Sequence, residues 1–309
     1  MIPLCSMISP RLTLPAALLL GMASIAQSSE VDSFTLRNPS LGDARAPLNE
    51  IINTAFHDAA AAATEAEDRP CHASTLHSEL RTRLGSPAVI GLPELRILLD
   101  SSVPSASLPI GASVFRNFPV LEFPQMWLVG LTLANLLHFG DFFFGTDKIG
   151  HFFDEGWTYY EMIHDQGKTL TDALNWGVES ERGGYGLAMN GVFSWGDLLV
   201  NFQGLRFWKE VATRNFRCHR GHWEPTEPFD LANYVDAGWD EGINCSEFRN
   251  LALKRGVERE IRALERARGE PLMCPIIPSA CEKLQIKYQS LESYVLSPLC
   301  RGRPALPLR

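Results

Sequence analysis

The sequence predicts a mainly α protein: a helical, bundle-like core with an irregular-to-helical C-terminal part held by disulfides. Three observations carry this reading. Apolar residues recur at helical spacing in several successive segments. Alternating strand patterns of any length are absent. Five of the seven cysteines stand in the last third of the 309 residues.

Taken in order, the chain opens with Arg11 as the only charge before Glu30. The apolar run Leu12–Ala26 ends with Ser24 and Ala26 placed as the small residues of a cleavage site before Gln27. The run is short of the ~20 residues of a membrane span. Residues 1–26 are therefore expected to be a removed signal peptide, and the mature chain to be periplasmic or secreted. Residues 27–46 are polar and broken by Pro and Gly, which predicts a loose arm. Residues 47–214 are expected to form the helical core domain, and residues 215–309 a Cys-rich region packed on it.

Within the core, Leu48–Glu65 reads as an Ala-rich helix. Ser101–Ser113 reads as a loop. Met126–Phe144 is strongly apolar but is interrupted by Asn135, His138 and Asp141. This favours a buried helix over a lipid-facing one, with membrane-surface contact as the lesser expectation. Thr146 is placed to start a helix running to about His164, and Lys168–Val178 follows as another. Gly183 and Gly184 break the chain, and Ser194 caps a helix to about Thr213. Further on, Ser246 is expected to cap a charged helix ending at Arg268, and a last helix is expected over Ala280–Leu296.

Charge and cysteines narrow the function classes. Residues 1–204 hold 11 basic and 22 acidic side chains, and residues 205–309 hold 17 and 14. An acidic body excludes a nucleic-acid partner, whose phosphates need a basic patch. The Walker-type glycine loop of a nucleotide site is absent. Six cysteines remain after the signal: Cys71, Cys218, Cys245, Cys274, Cys281 and Cys300. An even set in an exported chain implies disulfides, with Cys274 and Cys281 close enough in sequence to pair locally.

The candidate chemistry sits on two helices. Asp147, His151 and Glu155 are spaced i, i+4, i+8, which places two carboxylates and an imidazole on one helix face. Such a set suits proton transfer or a divalent metal at His151 and Asp147. An ordinary amphipathic helix shows the same stripe. On the second helix Ser194, Asp197, Asn201 and Gly204 form a narrow polar stripe. It is flanked by Leu198, Phe202 and Leu205 on one side and by Val200 and Phe207 on the other. A helix apolar nearly all round is buried, so Asp197 and Asn201 must find partners. The helix of Asp147, Lys148 and His151 can supply them. Glu179 and Glu181, lying between the two helices, are candidates for the same cluster. The Cys218, His219 and His222 group reads as a disulfide with surface histidines, and Asn244 begins a formal glycosylation sequon.

The order Asp147, Lys148, His151, Phe152, then Glu179 or Glu181, then Ser194, Asp197, Asn201 and Gly204 resembles the pattern of the VanZ-like and YfiM-like proteins over about residues 145–208. The resemblance implies a shared helical core and site and supplies no reaction. It departs from the family where a second glycine is expected after Gly204 and Leu205 to Trp208 stand instead. Two functions follow as expectations. One is an envelope hydrolase or transferase using the cluster as acid, base or metal site. The other is a non-catalytic binding or structural protein in which the cluster is a buried hydrogen-bond network.

Overall fold

A computed structural model describes residues 30–66, 71–86, 97, 100–118, 133–183 and 186–303, and the expected signal peptide lies outside them. The fold is mostly helical with three small sheets. Helix α1, Arg45–Glu65, is followed by α2, Ala73–Leu84. Strands β1, Ser105–Ala106, β2, Leu136–Phe139, and β3, Phe142–Gly145, form an antiparallel sheet in the order β1-β2-β3. The next helical rod, α3, has three sections: Asp147–Gly150, a π-helical segment His151–Glu155, and Gly156–His164. Helix α4, Leu170–Gly183, leads through a second π segment, Gly186–Asn190, to β4, Val192–Phe193, and α5, Trp195–Arg214.

The C-terminal part holds the hairpin β5, Phe216–His219, with β6, His222–Pro225, and then β7, Glu247–Phe248, which pairs with β4. It ends with α6, Leu251–Arg268, α7, Pro278–Tyr288, and the short α8, Glu292–Val295.

Several expectations need correction. Residues 133–145 of the apolar segment are not helical. Leu136 to Gly145 forms a hairpin whose turn is made possible by Gly140, at φ +60°. A short apolar run reads alike as buried helix or buried strand, and the Gly140–Asp141 turn decides it. Residues 126–132 lie outside the described residues. The arm is not loose from Glu30 onward. Glu30, Val31, Asp32 and Ser33 are buried, and the Asp32 carboxylate accepts from the backbone of Phe34, Thr35 and Val114. Asn250, not Ser246, caps α6, accepting from the N–H of Ala252 and Leu253. The last helix is interrupted after Tyr288.

The cysteines pair as Cys71–Cys218, Cys245–Cys274 and Cys281–Cys300, so Cys274 does not pair with Cys281. Asn244 is fully buried and its amide donates to the Gly238 and Val295 carbonyls, which leaves the sequon no surface to carry a glycan. Among the described residues no helix is long and apolar enough to cross a membrane.

The main core draws on both sides of residue 214. Phe152 packs its ring 5.3 Å from Phe207, 5.3 Å from Tyr234 and 5.5 Å from Trp239. Helices α3 and α5 cross backbone to backbone at Gly156 and Gly204. A Cβ on Gly204 would strike the Phe152 carbonyl oxygen, and one on Gly156 would strike the Gly204 Cα. The Trp208 indole donates to the Phe153 carbonyl at 3.0 Å, inside the π segment. These contacts bring the His151 face of α3 directly onto the Asp197 face of α5. Gly204→Ala should therefore lower unfolding free energy by about 3 kcal/mol through overpacking, measured by urea denaturation. Gly111→Ala, at an exposed glycine with open space around an added Cβ, should leave the stability nearly unchanged.

Candidate acid–base site

The site forms where α3, α5 and the loop before β7 meet. The β2–β3 hairpin ends at Gly145, and the Thr146 N–H then donates to the Asn135 carbonyl at 2.9 Å. That contact fixes where α3 begins and turns Asp147 and Lys148 inward. Ser194 caps α5 by accepting from the Asp197 N–H at 3.1 Å, while its hydroxyl donates to Glu241 Oε1 at 2.7 Å. Gly196 leaves room for the Lys148 and Glu241 side chains, since a Cβ there would lie 3.2 Å from each.

Lys148 is fully buried, and its ammonium meets three carboxylates. The distances are 2.6 Å to Asp147 Oδ2, 2.6 Å to Asp197 Oδ1 and 2.7 Å to Glu241 Oε1. His151 lies beside this group. Its Nε2 is 3.2 Å from Asp197 Oδ2, and its Nδ1 is 3.0 Å from Asn201 Oδ1 and 3.6 Å from Glu155 Oε2. Oxygen acceptors at both ring nitrogens favour the doubly protonated imidazolium, with the Asn201 amide assigned by this network.

Glu181 reaches the same region through the Ser194 N–H, which donates to it at 2.8 Å. Glu30 accepts from the Asn190 amide at 3.2 Å.

Burial and charge set the protonation pattern. For Lys148, burial opposes the charged form, but Asp147, Asp197 and Glu241 outweigh it and hold the ammonium well above its usual range. Burial likewise opposes the Asp197 anion, and His151 and Lys148 more than reverse this, so its carboxyl falls below the usual value. The His151 imidazole is raised, because Asp197 and Glu155 exceed the desolvation that would lower it. Burial pushes Asp147, Glu155 and Glu241 up. Glu30 and Glu181 are pushed up strongly, by burial first and then by neighbouring carboxylates. Six buried carboxyl groups thus surround two cationic side chains, so several must hold protons.

Of the residues singled out from sequence, Asp147, His151, Glu155, Glu181, Asp197 and Asn201 come together. Glu179 does not: it is exposed on the outer side of α4. Glu30 and Glu241 were missed as site residues. Glu241 stands in an irregular acidic stretch with no periodic signal, yet Trp239 and Cys245 on either side of it are buried. Asp240 accepts from both arms of Arg37, at 2.9 and 2.6 Å, and with the Cys245–Cys274 bridge it holds the loop in place. Glu30 belongs to the segment read as a loose arm.

A divalent ion has candidate ligands in Asp147, His151 and Asp197, whose nearest donor atoms lie within 4.8 Å of one another. The Lys148 ammonium, however, already bridges two of those carboxylates, and both imidazole nitrogens face acceptors. The donor set fits a proton-bearing centre better than a metal. The chain matches no known protein family, no curated protein and no solved structure.

Two outcomes follow. Lys148→Met should cost about 4 kcal/mol, because it leaves buried carboxylates uncompensated, and Asp197→Asn added to it should recover part of the loss; urea denaturation measures both. Above about pH 5 the groups of this cluster act with one sign, while His77, whose imidazole is lowered by burial, acts against them. Glu30 and Glu181 hold protons in the folded state that they release when unfolded above their ordinary 4.5, so folded stability falls as pH rises through that window. The raised His151 acts in the same direction, its contribution being complete below 6.5 and lost as pH climbs through the folded value. Melting temperature should therefore rise as pH is lowered from about 8 to about 5, and Glu181→Gln should flatten the slope. A melting temperature that falls over that range contradicts the assignment.

Proposed function

We propose that this is an exported envelope protein whose buried cluster is an acid–base centre for hydrolysis or group transfer on an envelope molecule. The carrying observation is the His151–Asp197 pair at 3.2 Å, set among carboxyl groups whose environments drive their protonation apart. His151 is the proton donor and acceptor. Asp197 orients it and stabilises its charged form, and Asn201 fixes the other ring nitrogen. Glu155 is the second carboxyl within reach of the ring. Lys148 keeps Asp147, Asp197 and Glu241 from repelling one another and lends positive potential to charge developing nearby. The π segment carrying His151 and Glu155 adds support, since such segments recur at functional sites. The resemblance to VanZ-like and YfiM-like proteins rests on these same residues. Export is supported by the full pairing of the six cysteines from Cys71 onward.

A second reading is favoured by one observation: His151 is only 9% exposed and already touches its partners. In that reading the cluster is a structural network and the protein a non-catalytic binding component of the envelope. The two separate in one experiment. Purified protein is assayed against nitrophenyl esters, a nitrophenyl phosphodiester and nitrophenyl glycosides, alongside His151→Gln. The acid–base reading expects turnover of one class, reduced on the order of 100-fold or more in the variant, with some loss of melting temperature because a buried cation beside Asp197 and Glu155 is removed. The structural reading expects no turnover by either protein and a large loss of melting temperature in the variant. Manganese or zinc that raised the melting temperature of wild type but not of His151→Gln would replace the proton-only centre with a metal one.

A further inference from the structure

A second site lies on the face of α3 turned away from His151. Helix α2 sends Leu76, Leu80 and Leu84 into the core. The stripe beside it, Ser74, His77, Ser78 and Arg81, runs at i, i+3, i+4, i+7 along one wall of a groove of about 700 Å³. Trp157, Tyr160, Glu161 and His164 repeat that spacing on α3 and form the facing wall. Lys209, near the end of α5, closes one side.

Two helices that face each other with aliphatic stripes would pack shut. Here the walls are ring faces and polar groups, and the groove stays open. The rings pack on one another and hold Trp157 in place. His77 stacks on Tyr160 at 5.3 Å, Tyr160 stacks on His164 at 4.9 Å, and Trp157 lies 5.2 Å from Tyr160. Trp157 is half-buried, so part of its ring faces the opening.

The polar rim decides the ligand class. Arg81, the guanidinium in the groove, is already paired with Asp154 and lies over Trp157 at 5.8 Å. His164 is paired with Asp165 at 2.9 Å. Among the described residues Lys209 and Glu161 enter no ion pair, leaving one donor group and one acceptor group at the rim. Charge there is balanced, with Arg81 and Lys209 against Glu161 and Asp165. A phosphate-bearing ligand would find a single uncommitted cation. A ligand with apolar ring faces and many neutral hydroxyls, each both donor and acceptor, matches the open part of the Trp157 ring and a mixed rim. The volume is that of a small-ligand pocket.

We propose that this groove binds a short uncharged oligosaccharide, with the part-exposed Trp157 ring as the stacking face, the buried Tyr160 supporting it from behind, and Lys209, Glu161, Ser74 and Ser78 as hydroxyl partners. The site is separate from the His151 cluster and does not depend on the activity proposed for it.

The test uses the full mature chain. Cellotriose, maltotriose and the trimer of N-acetylglucosamine are titrated by calorimetry, with tryptophan fluorescence followed in parallel. At least one should bind, quenching or shifting the emission, and Trp157→Ala should weaken it by roughly tenfold or more. Because Trp157 also packs on Trp208, Glu161→Gln and Lys209→Met serve as variants that leave that packing intact. Each should weaken the same sugar while the melting temperature holds. His151→Gln should leave the affinity unchanged. The proposal is overturned if none of the three sugars gives a signal at about 20 mM. It is equally overturned if Glu161→Gln and Lys209→Met bind as wild type does, or if ATP binds in the groove more tightly than every sugar.

Discussion

The buried Lys148 ammonium is the constraint around which the protein is arranged. A cation this far from water is tolerable only if anions replace the water completely, and they must come from places the fold can bring within about 3 Å. Asp147 comes from the same turn, Asp197 from α5 and Glu241 from the loop before β7. Each supplier needs its own support. The Gly156–Gly204 crossing lets α3 and α5 approach, Ser194 fixes the start of α5, and Arg37 with the Cys245–Cys274 bridge steadies the Glu241 loop. Gly196, with no side chain, keeps space for the lysine to reach all three.

Once Lys148 is satisfied, the surplus of acid groups gives the centre its character. Asp197 is shared between Lys148 and His151, which keeps it ionised and the imidazole charged. Glu30, Glu155 and Glu181 are left without a full cation, and burial drives them toward the protonated form. Proton-rich and proton-poor groups are thereby held a few ångströms apart. A purely structural network gains nothing from such an imbalance, because neutral amides would make the same hydrogen bonds without the desolvation cost. This is the physical ground for the acid–base proposal.

Sequence reasoning recovered the parts whose signals are local. Helical periodicity and the Ser194 cap located α3 and α5, and the polar stripe of Asp197 and Asn201 inside an apolar helix correctly required partners on the other helix. It failed where the deciding interaction is long-range. Residues 136–145 became strands because β1, far back in the chain, offers Ser105 and Ala106 for pairing and Gly140 permits the turn. Glu30 and Glu241 carry no periodic signature. What buries them is a bridge from Val31 to Ala134 in one case and the Arg37–Asp240 pair in the other. The local Cys274–Cys281 pairing failed for the same reason: α7 places Cys281 against Cys300 on the returning chain.

The separation of Lys148 from Glu241 by 93 positions bears on the order in which the molecule can assemble. Until the loop at residue 241 has arrived, the lysine and its two nearer carboxylates lack a third partner and stay hydrated, which keeps the meeting of α3 and α5 from becoming dry. Closure of the interior is thus tied to the last third of the chain. A chain emerging from its first residue therefore cannot close this interior until its last third has followed.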